Sequence, residues 1–203
     1  MPWVTVSLLC VTLVAAEDQS LRERARATEG GAVSNSMDYE DPVVRTPQLF
    51  AMSDLIVYGK VIGAKGVLIE NDSLVATVYS IEPRRILKQK PSLTTSDRPG
   101  AVPSNLVVRR VGGTLIEGKY SYFTKNSSFP EADAPKVGDE VVWFLIYQPG
   151  SGVFNFAAGP FAAFRVSGDH VVPLAEEVKA RRGDVPMLLT AFLRDLDRAA
   201  GRD

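Results

Sequence analysis

VGDEVVWFLIY, residues 137–147, leads from a Gly-Asp turn straight into seven consecutive apolar side chains, Val141 to Tyr147. A run of that length, bounded by turn residues and rich in β-branched and aromatic side chains, predicts a strand buried on both faces. Alternation along the strand puts Trp143 and Leu145 on one face and Val142, Phe144 and Ile146 on the other. The surroundings have room for such a core. The chain has 203 residues, 45% of them hydrophobic and 23% charged, the composition of an ordinary globular protein.

Working outward, Leu55 to Ile62 (LIVYGKVI) reads as a strand with Gly59 at a bulge or bend. Polar residues around Asn71 and Asp72 mark a turn, so Leu74 to Ile81 returns as the second arm of a hairpin, which Arg84 to Lys88 extends past Pro83. Lys90 to Ser104, with Pro91, Pro99, Gly100 and Pro103, is a loop. Leu106 to Val111 resumes as strand and stops at Gly112-Gly113. After the Pro149 to Gly152 turn come the short apolar stretches Val153 to Ala157 and Phe161 to Val166, then Val171 to Leu174 across a Gly168-Asp169 turn. A short helix from Pro47 to Ser53 precedes these strands, with Thr46 as its expected N-cap. Val185, Leu188, Leu189, Phe192, Leu193 and Leu196 recur at helical spacing after Asp184, so the chain closes on an amphipathic helix. Strands without regular intervening helices give the fold class: mainly β, a small antiparallel barrel or curved sheet with a short N-terminal and an amphipathic C-terminal helix.

The N-terminal end reads differently. Residues 1–16, MPWVTVSLLCVTLVAA, carry no charged side chain and meet acid at Glu17 and Asp18. Val14 and Ala16 are small residues at the positions that precede a signal-peptidase cut, so residues 1–16 are expected to be an export signal, with a membrane anchor or buried strand as the alternative. Cys10 follows the large Leu9 rather than the small residue of a lipoprotein signal, and its loss with residues 1–16 leaves a mature chain with no cysteine. Residues 17–45, rich in Glu, Asp, Arg, Ser and Gly, read as a flexible linker without an apolar stripe. The acidic group Asp38, Glu40 and Asp41 lacks the glycine and terminal glutamate of a calcium loop.

Taken in order, Asp54-Leu-Ile-Val-x-Gly-x-Val, then Val78 to Leu87-Lys88, then Val107-Val-Arg-Arg-Val-Gly112-Gly113, then Val137-Gly-Asp-Glu-Val-Val-Trp-Phe-Leu, then Gly159 to Val166 resemble a group of exported bacterial proteins of unknown function. Their architecture is similar to the OB-type barrel of netrin-like and metalloproteinase-inhibitor domains, which implies one OB-like domain over residues 46–203, with the resemblance itself covering about residues 46 to 198. Inhibitors of that kind use an N-terminal cysteine to reach a protease metal. This mature chain has none, so the resemblance does not carry that mechanism.

The function classes narrow by exclusion. Lys+Arg 23 against Asp+Glu 24 gives a formal net charge of -1 and no bulk attraction for nucleic acid or anionic lipid, so no nucleic-acid partner is expected. A single histidine, His170, sits at a hairpin turn without a nucleophile elbow nearby, and neither a metal nor a cofactor is expected. Walker, Rossmann and HExxH patterns are missing from the sequence. The pairs Asp139-Glu140 and Glu176-Glu177 are adjacent, which points two side chains apart rather than across a substrate. Arg182-Gly183-Asp184 spells an integrin-type tripeptide but reads as a loop ending in a helix cap, and Asn71-Asp72-Ser73 and Asn126-Ser127-Ser128 are glycosylation acceptors expected on exposed loops.

What remains is an exported non-catalytic interaction module for an envelope or extracellular partner, with no membrane span in the mature chain; the alternative is an exported hydrolase whose carboxylates converge only in the fold. The candidate binding residues lie in Thr114 to Pro130, where Glu117-Gly118 turns a hairpin whose second arm carries Tyr120 and Tyr122 on one face and Phe123 on the other. With Phe129 they make four aromatics amid Lys, Asn and Ser, a mixture that suits a contact surface, and Tyr120 and Tyr122 are the expected anchors. The competing reading makes the same rings a lid on the barrel.

Overall fold

The apolar run of residues 141–147 lies within one strand, Glu140–Gln148, and both of its faces are covered, as its lack of alternation requires. The molecule is a computed structural model that describes residues 19–28, 31–37, 45–93, 106–126, 134–174 and 186–201. In chain order the elements are α1 (Leu21–Ala27), β1 (Gly31–Met37), α2 (Thr46–Met52), β2 (Leu55–Ile69), β3 (Leu74–Gln89), β4 (Leu106–Val111), β5 (Gly113–Glu117), β6 (Tyr120–Asn126), β7 (Glu140–Gln148), β8 (Val153–Phe156), β9 (Ala163–Ser167), β10 (His170–Pro173), β11 (Met187–Leu188) and α3 (Leu189–Ala199). The described fold is mainly β.

The larger sheet has the order β11-β10-β9-β7-β2-β3-β4-β8, and β8 pairs back onto β7, so five strands form a ring. One edge of β7 is taken by β2; along the other, β9 pairs with residues 140–143 and β8 with residues 145–148. The ring's pairings are antiparallel except the seam of β4 with β8. Val141, Trp143 and Leu145 fill its interior with Val57, Val61, Tyr79, Ile81 and Val108. Trp143 is fully buried, with Tyr79 and Phe156 edge-on to it at centroid distances of 5.5 and 4.9 Å. The opposite face, Val142 and Phe144, packs under α2 and α3 through Leu49, Phe192 and Leu196.

A second sheet, β1-β6-β5, lies against the far half of the β2–β3 hairpin. The chain reaches it through Gly112 and Gly113, whose φ values of 105° and 130° suit glycine alone, and a Cβ on Gly113 would fall 2.2 Å from Thr77 Oγ1. Gly66 lets β2 and β5 touch, since a Cβ there would lie 2.2 Å from the Thr114 carbonyl oxygen.

Several expectations need correction. The stretch read as a linker holds α1 and β1: Ser20 and Glu23 form a capping box, Leu21 and Ala25 are fully buried one turn apart, and β1 pairs in parallel with β6 over seven residues. Polar composition misled because two apolar positions on a two-turn helix suffice when ion pairs complete the contact. Arg22 forms an ion pair with Asp72, its Nε 2.7 Å from Oδ2, and donates through Nη2 to Glu117 Oε1 at 3.3 Å. β2 runs on to Ile69 instead of ending at Ile62, whereas β3 continues through Pro83 as expected, with that proline at a register shift opposite Gly59. Arg45, not Thr46, is the N-cap of α2. Phe161 lies in a 3-10 turn, Gly159–Ala162, ahead of β9. Leu188 belongs to β11 and is half exposed, so the last helix begins at Leu189, whose N–H donates to the Asp169 carbonyl. Residues 1–16, Asp38, Glu40, Asp41, Phe129, Glu176, Glu177 and the 182–184 tripeptide lie outside the described residues. No helix among the described residues is long and apolar enough to cross a membrane.

Candidate functional site

β4 and β8 stay side by side for only two residue pairs, Val108 with Phe154 and Arg109 with Asn155. Beyond them β4 leaves toward the second sheet at Gly112, while β8 enters the turn 157–160. The separation opens a cleft of about 280 Å³, lined by Arg109, Arg110, Val111, Asn126, Asn155, Phe156 and that turn. Its apolar floor is firm, because Phe156 rests edge-on against the buried indole of Trp143.

The polar groups of the cleft differ in what they have left to give. Arg109 Nε donates to Asn155 Oδ1 at 3.2 Å across the parallel seam. Among the described residues its two Nη groups have no hydrogen-bond or carboxylate partner, although the side chain is half-buried. The Nε donor fixes the Asn155 amide with its oxygen toward Arg109, so the Nδ2 donors face away. Asn126 Nδ2 donates to the Val111 carbonyl at 2.9 Å, and Arg110 is 3% exposed and already engaged. The lining named here holds two guanidinium groups and no carboxylate. A half-buried cation without a counter-charge attracts an anion more strongly than an exposed one, because the local dielectric is lower than that of water.

The hairpin aromatics separate. β5 and β6 form the expected antiparallel hairpin, with Tyr120 and Tyr122 on one face and Phe123 on the other. Tyr122 is 3% exposed and packs with Leu21, Ala25, Val33 and Val75 beneath α1. Tyr120 is half-buried against the same cluster, 6.4 Å from Tyr122 between ring centroids. Tyr122, packed under α1, has no surface to offer a partner, whereas Tyr120 keeps part of its ring accessible and Phe123 is 39% exposed.

Elsewhere the ionisable groups are committed to one another. Tyr58 donates from its hydroxyl to Glu140 Oε2 at 2.6 Å, and Arg84 Nη1 lies 2.5 Å from Glu140 Oε1. The Tyr58 hydrogen bond, reinforced by Arg84 and opposed by burial, holds the Glu140 carboxyl below the ordinary glutamate range. Burial and the Glu140 carboxylate push the Tyr58 hydroxyl up. Asp139 turns the other way and accepts from the Lys136 N–H at 2.9 Å and Arg165 Nε at 3.1 Å. Asp54 accepts from the Tyr147 N–H at 2.9 Å and pairs with Lys90, which together outweigh burial and keep its carboxyl low. His170 sits beside its turn with Nδ1 at 2.6 Å from Asp169 Oδ1. Among the described residues no three His, Cys, Asp or Glu side chains are grouped to hold a metal ion.

The sequence singled out the aromatic hairpin and passed over the arginine pair, although Arg109-Arg110 inside an apolar strand that ends in Gly112-Gly113 was a signal in plain view. Of the two acceptor asparagines, Asn71 is exposed at the β2–β3 turn, whereas Asn126 is half-buried with its amide nitrogen in use. No protein-family model matches the chain, and no curated protein matches it.

Proposed function

We propose that this chain is an exported, non-catalytic binding module, built on an OB-type barrel, that takes an anionic ligand in the cleft between β4 and β8. The observation that carries the reading is Arg109: a half-buried guanidinium held in place by its Nε, with both Nη groups uncommitted among the described residues, in a cleft whose named lining includes no acid. Groups in this state are ready to bind, since the cost of orienting the side chain is met before the ligand arrives. The OB-type reading is supported by the five-strand ring, in which β2, β3 and β4 follow one another and β8 closes back in parallel. Export is supported by the apolar block of residues 1–16 and its small-residue end, since a cut after Ala16 leaves only three residues ahead of the Ser20 cap of α1. A hydrolase would need carboxylates aimed at a common point, whereas Asp139 and Glu140 are held by different cations on diverging sides.

The test is thermal unfolding in graded sodium benzoate and sodium phosphate, each against sodium chloride of equal ionic strength. An anion present at about a hundred times its dissociation constant adds about 2.7 kcal/mol, which raises the midpoint of a domain this size by about 5 to 10 °C. Arg109→Gln should remove that rise. Equal midpoints in all three salts, or a rise that survives Arg109→Gln, would refute the site.

A further inference from the structure

We infer that the ligand of this cleft is a compact monocarboxylate, one carboxylate group on a short apolar stem. The inference rests on the anion-binding reading above and adds the charge, shape and size of the guest.

Charge comes first. Arg110 is already engaged, so among the described residues the lining guanidinium with donors to spare is that of Arg109. One anionic group is enough to pair with it.

Shape follows from which nitrogens are spent. With Nε bonded to Asn155, Arg109 presents its terminal pair, Nη1 and Nη2, in one plane. A flat acceptor with two oxygens meets that pair by two parallel hydrogen bonds.

Size is set by the floor. Val111, Phe156 and Pro160 provide apolar contact, and a cleft of about 280 Å³ lies at the small end of ligand sites. The stem is therefore a few carbon atoms rather than a long chain. Such a group arises either as a free short-chain organic acid or as the C-terminal residue of a peptide, and the shared chemistry is the same.

The experiment is isothermal titration of the full chain with four probes: isovalerate for the free acid, N-acetylvaline for a peptide terminus, N-acetylvalinamide as its neutral counterpart, and inorganic phosphate. Binding of isovalerate or N-acetylvaline, with the amide at least tenfold weaker, supports the proposal, and the better of the two acids identifies the source. Arg109→Gln should weaken the acid at least tenfold, with Arg109→Lys in between, because it keeps the charge and loses the planar pair. Asn155→Asp serves as the second variant should Arg109→Gln fail to fold. Its carboxylate occupies Arg109 at unchanged side-chain size and should cut acid affinity at least tenfold. Phosphate binding without the acids overturns the monocarboxylate and leaves the anion site standing. Equal binding of acid and amide, or binding of none of the four probes, overturns the anion reading as well.

Discussion

The five-strand ring and the three-stranded layer beside it are held together by different means. In the ring, β7 meets neighbours on both edges, and its two faces feed two clusters that include Trp143, Phe144, Tyr79 and Leu145. In the layer, the buried cluster among the described residues is Leu21, Ala25, Val33, Val75 and Tyr122, with Leu68, Leu115 and Tyr120 against it, and backbone pairing of β6 with β1 and β5 together with the Arg22 ion pairs adds to it. Apolar burial scales with area and resists salt, whereas exposed ion pairs contribute little and are screened. The comparison teaches that one chain can contain a core whose loss unfolds everything and a layer that opens by itself.

The sharpest test of the ring is Trp143→Ala. A fully buried tryptophan truncated to alanine costs about 3 to 5 kcal/mol, a large share of a typical domain's stability. Denaturant unfolding followed by far-UV circular dichroism should show the loss as a shifted midpoint of the whole molecule. Trp143→Phe should cost far less, because it keeps a ring between Tyr79 and Phe156 and removes an indole N–H that has no hydrogen-bond partner among the described residues. A near-neutral Trp143→Ala would erase the distinction between the two regions.

Leu21→Ala probes the layer. Leu21 is fully buried, yet its cluster is small and lies at one end of the molecule, so a loss of about 2 to 3 kcal/mol is expected. The discriminating measurement is amide hydrogen exchange. Amides of β1 and β6 should exchange faster while those of β7 keep their wild-type protection; equal acceleration in β7 would make the two regions one cooperative unit.

The same contrast explains what could be read in the sequence. β7 was legible because a continuous apolar run bounded by turn residues has few other ways to be satisfied, β4 because its β-branched residues stop at Gly112-Gly113, and the two-face division of Trp143 and Phe144 follows from a period of two. Phe192 and Leu196 were legible through helical spacing, though Leu188 was drawn into the same pattern and belongs to β11. The layer was hidden because its partners are remote: β1 pairs with a strand about ninety positions away, and nothing local in GAVSNSM announces a parallel neighbour. The cleft was hidden for a related reason. It exists only where β4 and β8 part, and the availability of Arg109 depends on Asn155, which a sequence does not place beside it.

Glu140 sits at the rim of the ring and gives a smaller effect with a defined pH signature. Its carboxyl is held low by Tyr58 first and Arg84 next, so the stabilisation is present above the ordinary glutamate value, about pH 4.3, and disappears as pH falls through the lower folded value. Glu140→Gln should therefore cost under about 1 kcal/mol at neutral pH, as partly exposed ion pairs do. The gap between variant and wild type should shrink as pH falls below about 4. A gap that is constant from pH 7 to pH 3 would show that the carboxylate charge contributes nothing to the rim.

The smallest effect comes from comparing two neighbours in the layer, Tyr122 and Phe123. They are adjacent on β6 and so point to opposite faces, one 3% exposed beneath α1 and the other 39% exposed to water. Cross-strand, Phe123 faces Thr114 on β5 and Ser34 on β1, two short polar side chains that cover little of its ring. Replacing Phe123 with Ser therefore removes less buried area than loss of the Tyr122 ring and should cost no more than about 1 kcal/mol. Tyr122→Ser deletes a ring from the layer's cluster and exposes Leu21 and Val75 to a cavity, so it should cost several times as much. Measured side by side by thermal unfolding, the pair reads out which face of the second sheet is core. Equal losses from the two substitutions would mean that the outer face is covered as well, and the layer would then be a sandwich rather than a single covered face.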